Sequence, residues 1–216
     1  MISAELIIFD MDGLIFDTER LFMDMRADVL EKYGYKHKLE DYIKTLGTAG
    51  DNLYNILENI YGKEYPAKKI SEESREKVNQ WIENNGPPVK KGIRNLFEYL
   101  YTENKKLCVA TSTESITATA YLEKADLLKY VEFVVGGESV KNSKPSPDIF
   151  NLASDKAGIA KEKCLVIEDS ENGIIAANNA GIPVICIPDL KYPEEKIKNM
   201  TICVVDSAED LIHNIN

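Results

Sequence analysis

No stretch of this 216-residue sequence is both long and apolar enough to span a bilayer, which argues against a membrane-spanning helix. The first residues carry no basic segment followed by a cleavable apolar one, because Asp10 interrupts the only apolar run there; no secretory leader is expected. Cysteine is scarce. Cys108, Cys164, Cys186 and Cys203 include no Cys-x-x-Cys pair, and each lies in or beside a short apolar run. They read as small buried hydrophobes in a reducing compartment, which leaves little room for disulfides or a zinc site. A cytoplasmic protein is expected. Basic residues are the minority, 26 against 36 acidic, for a net charge of -10. Such a surface repels nucleic acid and anionic lipid, so neither is an expected partner. A phosphorylated substrate would need a local site that overrides this field. Internal repeats and low-complexity tails are absent as well. With 44% hydrophobic and 29% charged residues, the composition is that of an ordinary globular protein with a sizeable core.

What stands out is Leu6 to Glu19, LIIFDMDGLIFDTE. The apolar run Leu6-Ile7-Ile8-Phe9 has the character of a strand buried on both faces of a parallel sheet. It ends in Asp10, with Asp12 and Gly13 close behind. In open α/β sheets, ligands bind beyond the carboxyl ends of the strands. Two carboxylates this close repel unless a shared proton or a cation intervenes, and a hard divalent ion such as Mg²⁺ suits oxygen ligands. A polar turn after a strand is the ordinary alternative.

Five later segments resemble this strand: Leu107–Thr111, Glu132–Val135, Cys164–Ile167, Pro183–Ile187 and Cys203–Val205. Helical patterns separate most of them. Ile93, Leu96, Phe97 and Leu100 follow i, i+3, i+4, i+7 spacing; Pro147 and Gly158 bracket a second helix; Ser170 and Gly181 bracket a third. Alternating strands and helices predict a doubly wound parallel α/β sheet, a Rossmann-like core. One region breaks the rule. Between about Asp17 and Pro88 no strand is convincing, but Leu21, Met25 and Val29, then Leu53, Ile56, Leu57 and Ile60, then Val78, Trp81 and Ile82 mark helical faces. The expected division is a core of residues 1–16 and 89–216, with an all-α unit of residues 17–88 inserted into it.

Further strand ends carry polar groups. The second finishes in Thr111-Ser112-Thr113, whose hydroxyls and amides suit phosphate oxygens; the fourth finishes in Glu168-Asp169, an acidic pair able to complete a metal site with Asp10. Between them lies Lys144-Pro145. Each has a plainer reading, as a helix cap, a favourable helix start or a solvated lysine. Their order at successive strand ends is what argues for a single site.

These residues carry a resemblance. Asp10-Met-Asp12-Gly13, Asp17-Thr18-Glu19, Thr111-Ser112, Lys144-Pro145-Ser-Pro147-Asp148-Ile-Phe150 and Ile167-Glu168-Asp169-Ser170 with Asn172-Gly173 resemble the haloacid dehalogenase superfamily. Within it, they are similar to the group containing β-phosphoglucomutase and phosphoglycolate phosphatase, nearly end to end. The resemblance implies Asp10 as nucleophile, forming an aspartyl-phosphate, and Asp12 as general acid and base. It implies Mg²⁺ held by Asp10, the backbone carbonyl of Asp12 and Asp169, with Glu168 assisting. It implies phosphate binding by Thr111, Ser112 and Lys144, with Lys144 preferred to Lys141 because the family's lysine precedes a proline. The inserted helices resemble the family's cap, which closes over substrate. Asp12 argues for phosphoryl transfer, since dehalogenases of this kind lack a carboxylate there.

Departures separate phosphatase from mutase. Aligned from Asp10, the position of the mutase's cap histidine falls on Phe22, and neither His37 nor His213 fits that role. The loop Leu46–Asp51 has no arginine for a second phosphate. Thr48, Asp51 and Asn52 are candidate substrate contacts or a plain link between helices. Lys90-Lys91-Gly92 replaces the usual proline before the glycine, and Lys91 reads as a solvated lysine. The expected activity is therefore hydrolysis of a small phosphomonoester of the sugar or polyol phosphate class, by a monomer, with a sugar phosphomutase as the alternative. A phospho-receiver signalling module also gathers acids, a hydroxyl and a lysine at strand ends. It is much shorter, has no helical insertion, and phosphorylates an aspartate on a later strand, where this chain has Val135-Gly136-Gly137.

Overall fold

A computed structural model describes residues 2–46, 48 and 50–215, the side chain of Asp51 excepted. The chain forms two compact units, one of Met1–Asp17 with Val89–Asn216 and one of Thr18–Pro88. The boundary falls after Asp17 rather than before it.

The first unit is a six-stranded sheet: β1 (Leu6–Phe9), β2 (Lys106–Ala110), β3 (Phe133–Val135), β4 (Cys164–Glu168), β5 (Val184–Cys186) and β6 (Cys203–Val204). Every neighbouring pair is parallel and the order is β3-β2-β1-β4-β5-β6. Strands are added to one side of β1 as far as β3 and to its other side from β4 onward, and this reversal of strand order beside β1 is where ligands bind in sheets of this kind. Every residue of β1 is buried, as its unbroken apolar run requires. Its side chains alternate between two cores: Ile7 and Phe9 join one, Leu6 and Ile8 the other. The first core is closed by α5 (Ile93–Thr102) and α6 (Ser115–Lys124), where the ring of Phe97 packs 4.6 Å from that of Phe9. The second is closed by α7 (Asp148–Ala157) and α8 (Glu171–Ala180). Helices on both faces explain why the strands read as continuous apolar runs instead of alternating ones. The helix caps are as the local sequence dictates: the Ser170 hydroxyl accepts from Gly173 N at the start of α8, and Gly158 and Gly181 end α7 and α8 in the left-handed conformation.

The second unit holds α1 (Thr18–Lys32), α2 (Leu39–Ile43), α3 (Gly50–Tyr61) and α4 (Ala67–Asn85). Its own core joins Val29, Leu30, Leu57, Tyr65 and Ile70. The face of α1 differs from the expected one. Leu21 and Val29 are buried, but Met25 is only half-buried and Arg26 goes inside instead. The long stem of arginine lets it line an apolar interior, and its guanidinium lies 5.9 Å from the Tyr42 ring centre and 3.3 Å from the Tyr65 hydroxyl.

Candidate active site

The register of the sheet assembles the site. Phe9 pairs with Val109 on β2 and with Ile167 on β4, so the next residues along, Asp10, Ala110 and Glu168, lie abreast at the carboxyl ends of three adjacent strands. Lys144 reaches all three. Its Nζ donates to Asp10 Oδ1 at 2.5 Å, to Glu168 Oε1 at 2.7 Å and to the carbonyl of Ala110 at 3.3 Å. The loop that delivers it is tied to the start of α7, where Asp148 accepts from Ser146 Oγ at 2.6 Å and from the backbone and side-chain nitrogens of Asn142. Lys141, the competing lysine, is exposed.

Glu168 is fully buried and fully engaged. Its second oxygen accepts from the backbone nitrogens of Asp169 and Ser170, both at 2.9 Å, and from Ser170 Oγ at 3.0 Å. Its carboxyl also lies so close to α8 that a Cβ on Gly173 would sit 1.7 Å from Oε1, so glycine is required there. The carboxylates of Asp10, Glu168 and Asp169 each present an oxygen, and these oxygens lie within 4.8 Å of one another. Hard oxygen donors at this spacing fit a small divalent cation. Burial, foremost, and the neighbouring charges of Glu168 and Asp12 push the Asp10 carboxyl up to about 7 against the pull of Lys144. Burial, then Glu168, Asp10 and Asp189, push Asp169 well above the ordinary carboxylate range. Burial disfavours charge on Lys144, yet Asp10 and Glu168 together hold its pKa above the ordinary lysine value. A crowd of buried acids around one lysine is the electrostatic condition that a bound cation relieves.

Asp12 is turned elsewhere. Its Oδ2 accepts from Thr113 Oγ1 at 2.7 Å and more loosely from Thr111 Oγ1 at 3.4 Å, and Thr113 N donates to Thr111 Oγ1 at 3.1 Å. The Asp12 carboxylate is therefore not in the group of oxygens described above, which leaves its backbone carbonyl as the possible cation ligand. Thr111 is buried beside Ala110, while Ser112 is exposed; Gly137 allows that loop to approach, since a Cβ there would meet the Ser112 carbonyl at 2.4 Å.

Three participants were missed in the sequence. Thr113 reads in the sequence only as one hydroxyl of three. Asp189 lies just beyond β5, in Ile187-Pro188-Asp189, and the same signal of an apolar strand ending in an acid was there to find it. Lys90, not Lys91, is the sheltered lysine: its Nζ pairs with Asp189 Oδ1 at 2.6 Å, whereas Lys91 is solvated beside Glu209. In the helical unit, Phe22 lies tilted against Tyr42, 6.3 Å between ring centres. Gly47, Ala49 and the side chain of Asp51 lie outside the described residues; Thr48 Oγ1 donates to the Thr45 carbonyl at 2.6 Å, and Asn52 is exposed.

Comparison with known proteins shows the family and the fold. The family described as haloacid dehalogenase-like hydrolase matches residues 7–187. A phosphorylated carbohydrates phosphatase from Thermotoga maritima is 34% identical over 182 residues, covering 82% of each chain. A protein named probable pseudouridine-5'-phosphatase from Drosophila melanogaster is 31% identical, over 94% of this chain and 89% of that one. Among solved structures, CbbY from Rhodobacter sphaeroides in complex with phosphate superposes with a TM-score of 0.76 at 25% identity, covering 96% of each chain. The helical unit inserted after β1 and the match to a hydrolase family exclude the receiver alternative.

Proposed function

The chain belongs to the haloacid dehalogenase-like hydrolases, and on that premise we propose that it is a Mg²⁺-dependent phosphatase acting through an aspartyl-phosphate on small sugar or polyol phosphates. The observation that carries this reading is the convergence of Asp10, Lys144, Glu168 and Asp169 over the ends of β1, β2 and β4. An oxygen of Asp10 attacks phosphorus while the bond to the leaving oxygen breaks, and Asp12 gives that oxygen its proton. A water then attacks phosphorus and yields a proton to Asp12. The bond between Asp10 and phosphorus breaks, releasing inorganic phosphate. Lys144, Thr111 and Ser112 receive the phosphoryl oxygens, where fixed positive charge and donors favour the transition state. Thr113 holds the Asp12 carboxylate until the leaving oxygen takes its place as partner. Asp10, Asp169 and the Asp12 carbonyl would hold Mg²⁺, with Glu168 anchoring Lys144 and the turn to Asp169 beside them. When bound, Mg²⁺ offsets the repulsion between an anionic nucleophile and an anionic phosphate. The helical unit, residues 18–88, is read as the cap that selects substrate, and four free thiols, three of them buried, suit a cytoplasmic enzyme.

The test is phosphate release from a panel of phosphorylated sugars, polyols, phosphoglycolate and nucleotides, with Mg²⁺ and with EDTA. Mg²⁺-dependent release from sugar or polyol phosphates is expected, and Asp10→Asn should abolish it without unfolding the protein. Undiminished turnover by that variant sinks the mechanism. Conversion of β-glucose 1-phosphate, primed with glucose 1,6-bisphosphate, to glucose 6-phosphate with little free phosphate would establish the mutase instead.

A further inference from the structure

Beyond the catalytic set lies a second sheltered ion pair. Asp189 follows β5, and its carboxyl is almost wholly buried; Lys90, which pairs with it, is one-fifth exposed and follows Val89, bridged to Phe16. The Lys90 backbone is fixed, donating from N to the Ile15 carbonyl at 2.9 Å. The two carboxylates Asp169 and Asp189 meet over Gly13. A Cβ there would sit 2.4 Å from Asp169 Oδ2 and 3.4 Å from Asp189 Oδ2, so those oxygens are no farther apart than the two distances together. Gly13 also has φ +83, so the approach rests on a conformation that favours glycine. One oxygen of Asp189 thus faces Lys90 while the other faces a carboxylate of the cation group.

We propose that Lys90 and Asp189 form a positioning pair for Asp169, in which Asp189 supplies negative potential to the cation site and Lys90 limits it. The inference rests on the reading above that Asp10 and Asp169 hold a divalent cation. In a poorly solvated environment an unpaired charge acts strongly on its neighbours, so the pair has value in both directions. Without Lys90, more of the Asp189 charge would bear on Asp169. Without the Asp189 charge, the Lys90 ammonium would stand beside the site and compete with the cation. The influence of Asp189 on the proton affinity of Asp169 agrees with this closeness. Lys90 and Asp189 do not touch the reacting atoms in this scheme; they act through Asp169.

The experiment is Mn²⁺ binding to the full chain at pH 8, read by electron paramagnetic resonance without substrate, with circular dichroism on each variant. Asp189→Asn should weaken binding by about tenfold, the scale of supporting interactions around metal ligands. Lys90→Met should tighten it, and Lys90→Arg should stay near the parent. A merely structural role predicts weakening by both changes. If Lys90→Met does not fold, the double variant with Asp189→Asn is compared with Asp189→Asn alone and should bind more tightly, because the stranded ammonium is gone. Weakening by both single changes, or no change from either, overturns the proposal while leaving the cation site in place. No saturable Mn²⁺ binding by the parent overturns the cation reading and this inference together.

Discussion

At the scale of single residues, the site is a contest between burial and pairing. Asp10 carries the clearest consequence. Its carboxyl is raised from 3.8 to about 7 in the metal-free protein, so between those values the folded chain holds a proton that the unfolded chain has released. Linkage then makes stability fall as pH rises through that window and level off above it. Urea titrations in EDTA should show the parent losing stability relative to Asp10→Asn from pH 4 to 7, and Mg²⁺ should remove the loss. Gly173 makes a second prediction at this scale. A methyl group there would overlap the Glu168 carboxyl, which is anchored by four donors and has nowhere to go. Gly173→Ala should destabilise the protein by about 2 kcal/mol, the cost of overpacking, measured by chemical denaturation.

Elements place these residues with little freedom. The turn from β4 into α8 does two things at once: Ser170 caps the helix through Gly173 N and donates to Glu168. Ser170→Ala should therefore cost about 1 kcal/mol for the lost cap. It should also lower phosphate release, because Glu168 loses one of the donors that orient it towards Lys144. A fall in thermal stability with undiminished turnover would confine Ser170 to the cap. The loop before α7 works in the same manner, since Asp148 holds the segment carrying Lys144 through Ser146 and Asn142.

For the whole molecule, the two units have separate hydrophobic cores, and every group that the proposed cation needs belongs to the first. Binding adds stability to the state that binds, and local stability differs between parts of a fold. Hydrogen exchange with Mg²⁺ alone should therefore show added protection at Leu6–Asp12 and Cys164–Ser170, with little change across Thr18–Pro88. Equal protection of the helices would show that the units are energetically one. The net charge of -10 makes the local arrangement more telling. An acidic protein that handles phosphate needs sheltered positive charge such as Lys144, because its surface at large repels the substrate.

The sequence by itself determined the alternation of strands and helices, the helical insertion, the strand-end positions of Asp10, Asp12, Thr111, Glu168 and Asp169, and the place of Lys144 just ahead of a helix. Those features are local: apolar runs, caps and breakers act over a few residues, and a strand end places whatever residue follows it. Tertiary structure decided what no local pattern encodes. The parallel register brought Asp10, Ala110 and Glu168 abreast across gaps of about a hundred residues and more in sequence, so that one lysine could pair with two acids. It turned the Asp12 carboxylate to Thr113 and buried Arg26 where periodicity favoured Met25. It also joined Lys90 to Asp189, two residues ninety-nine apart in sequence whose partnership depends only on where the chain returns after its helical detour. Charge pairing across such distances is set by packing, because the Coulomb interaction depends on separation in space and on the surrounding dielectric, and neither is written in the order of residues.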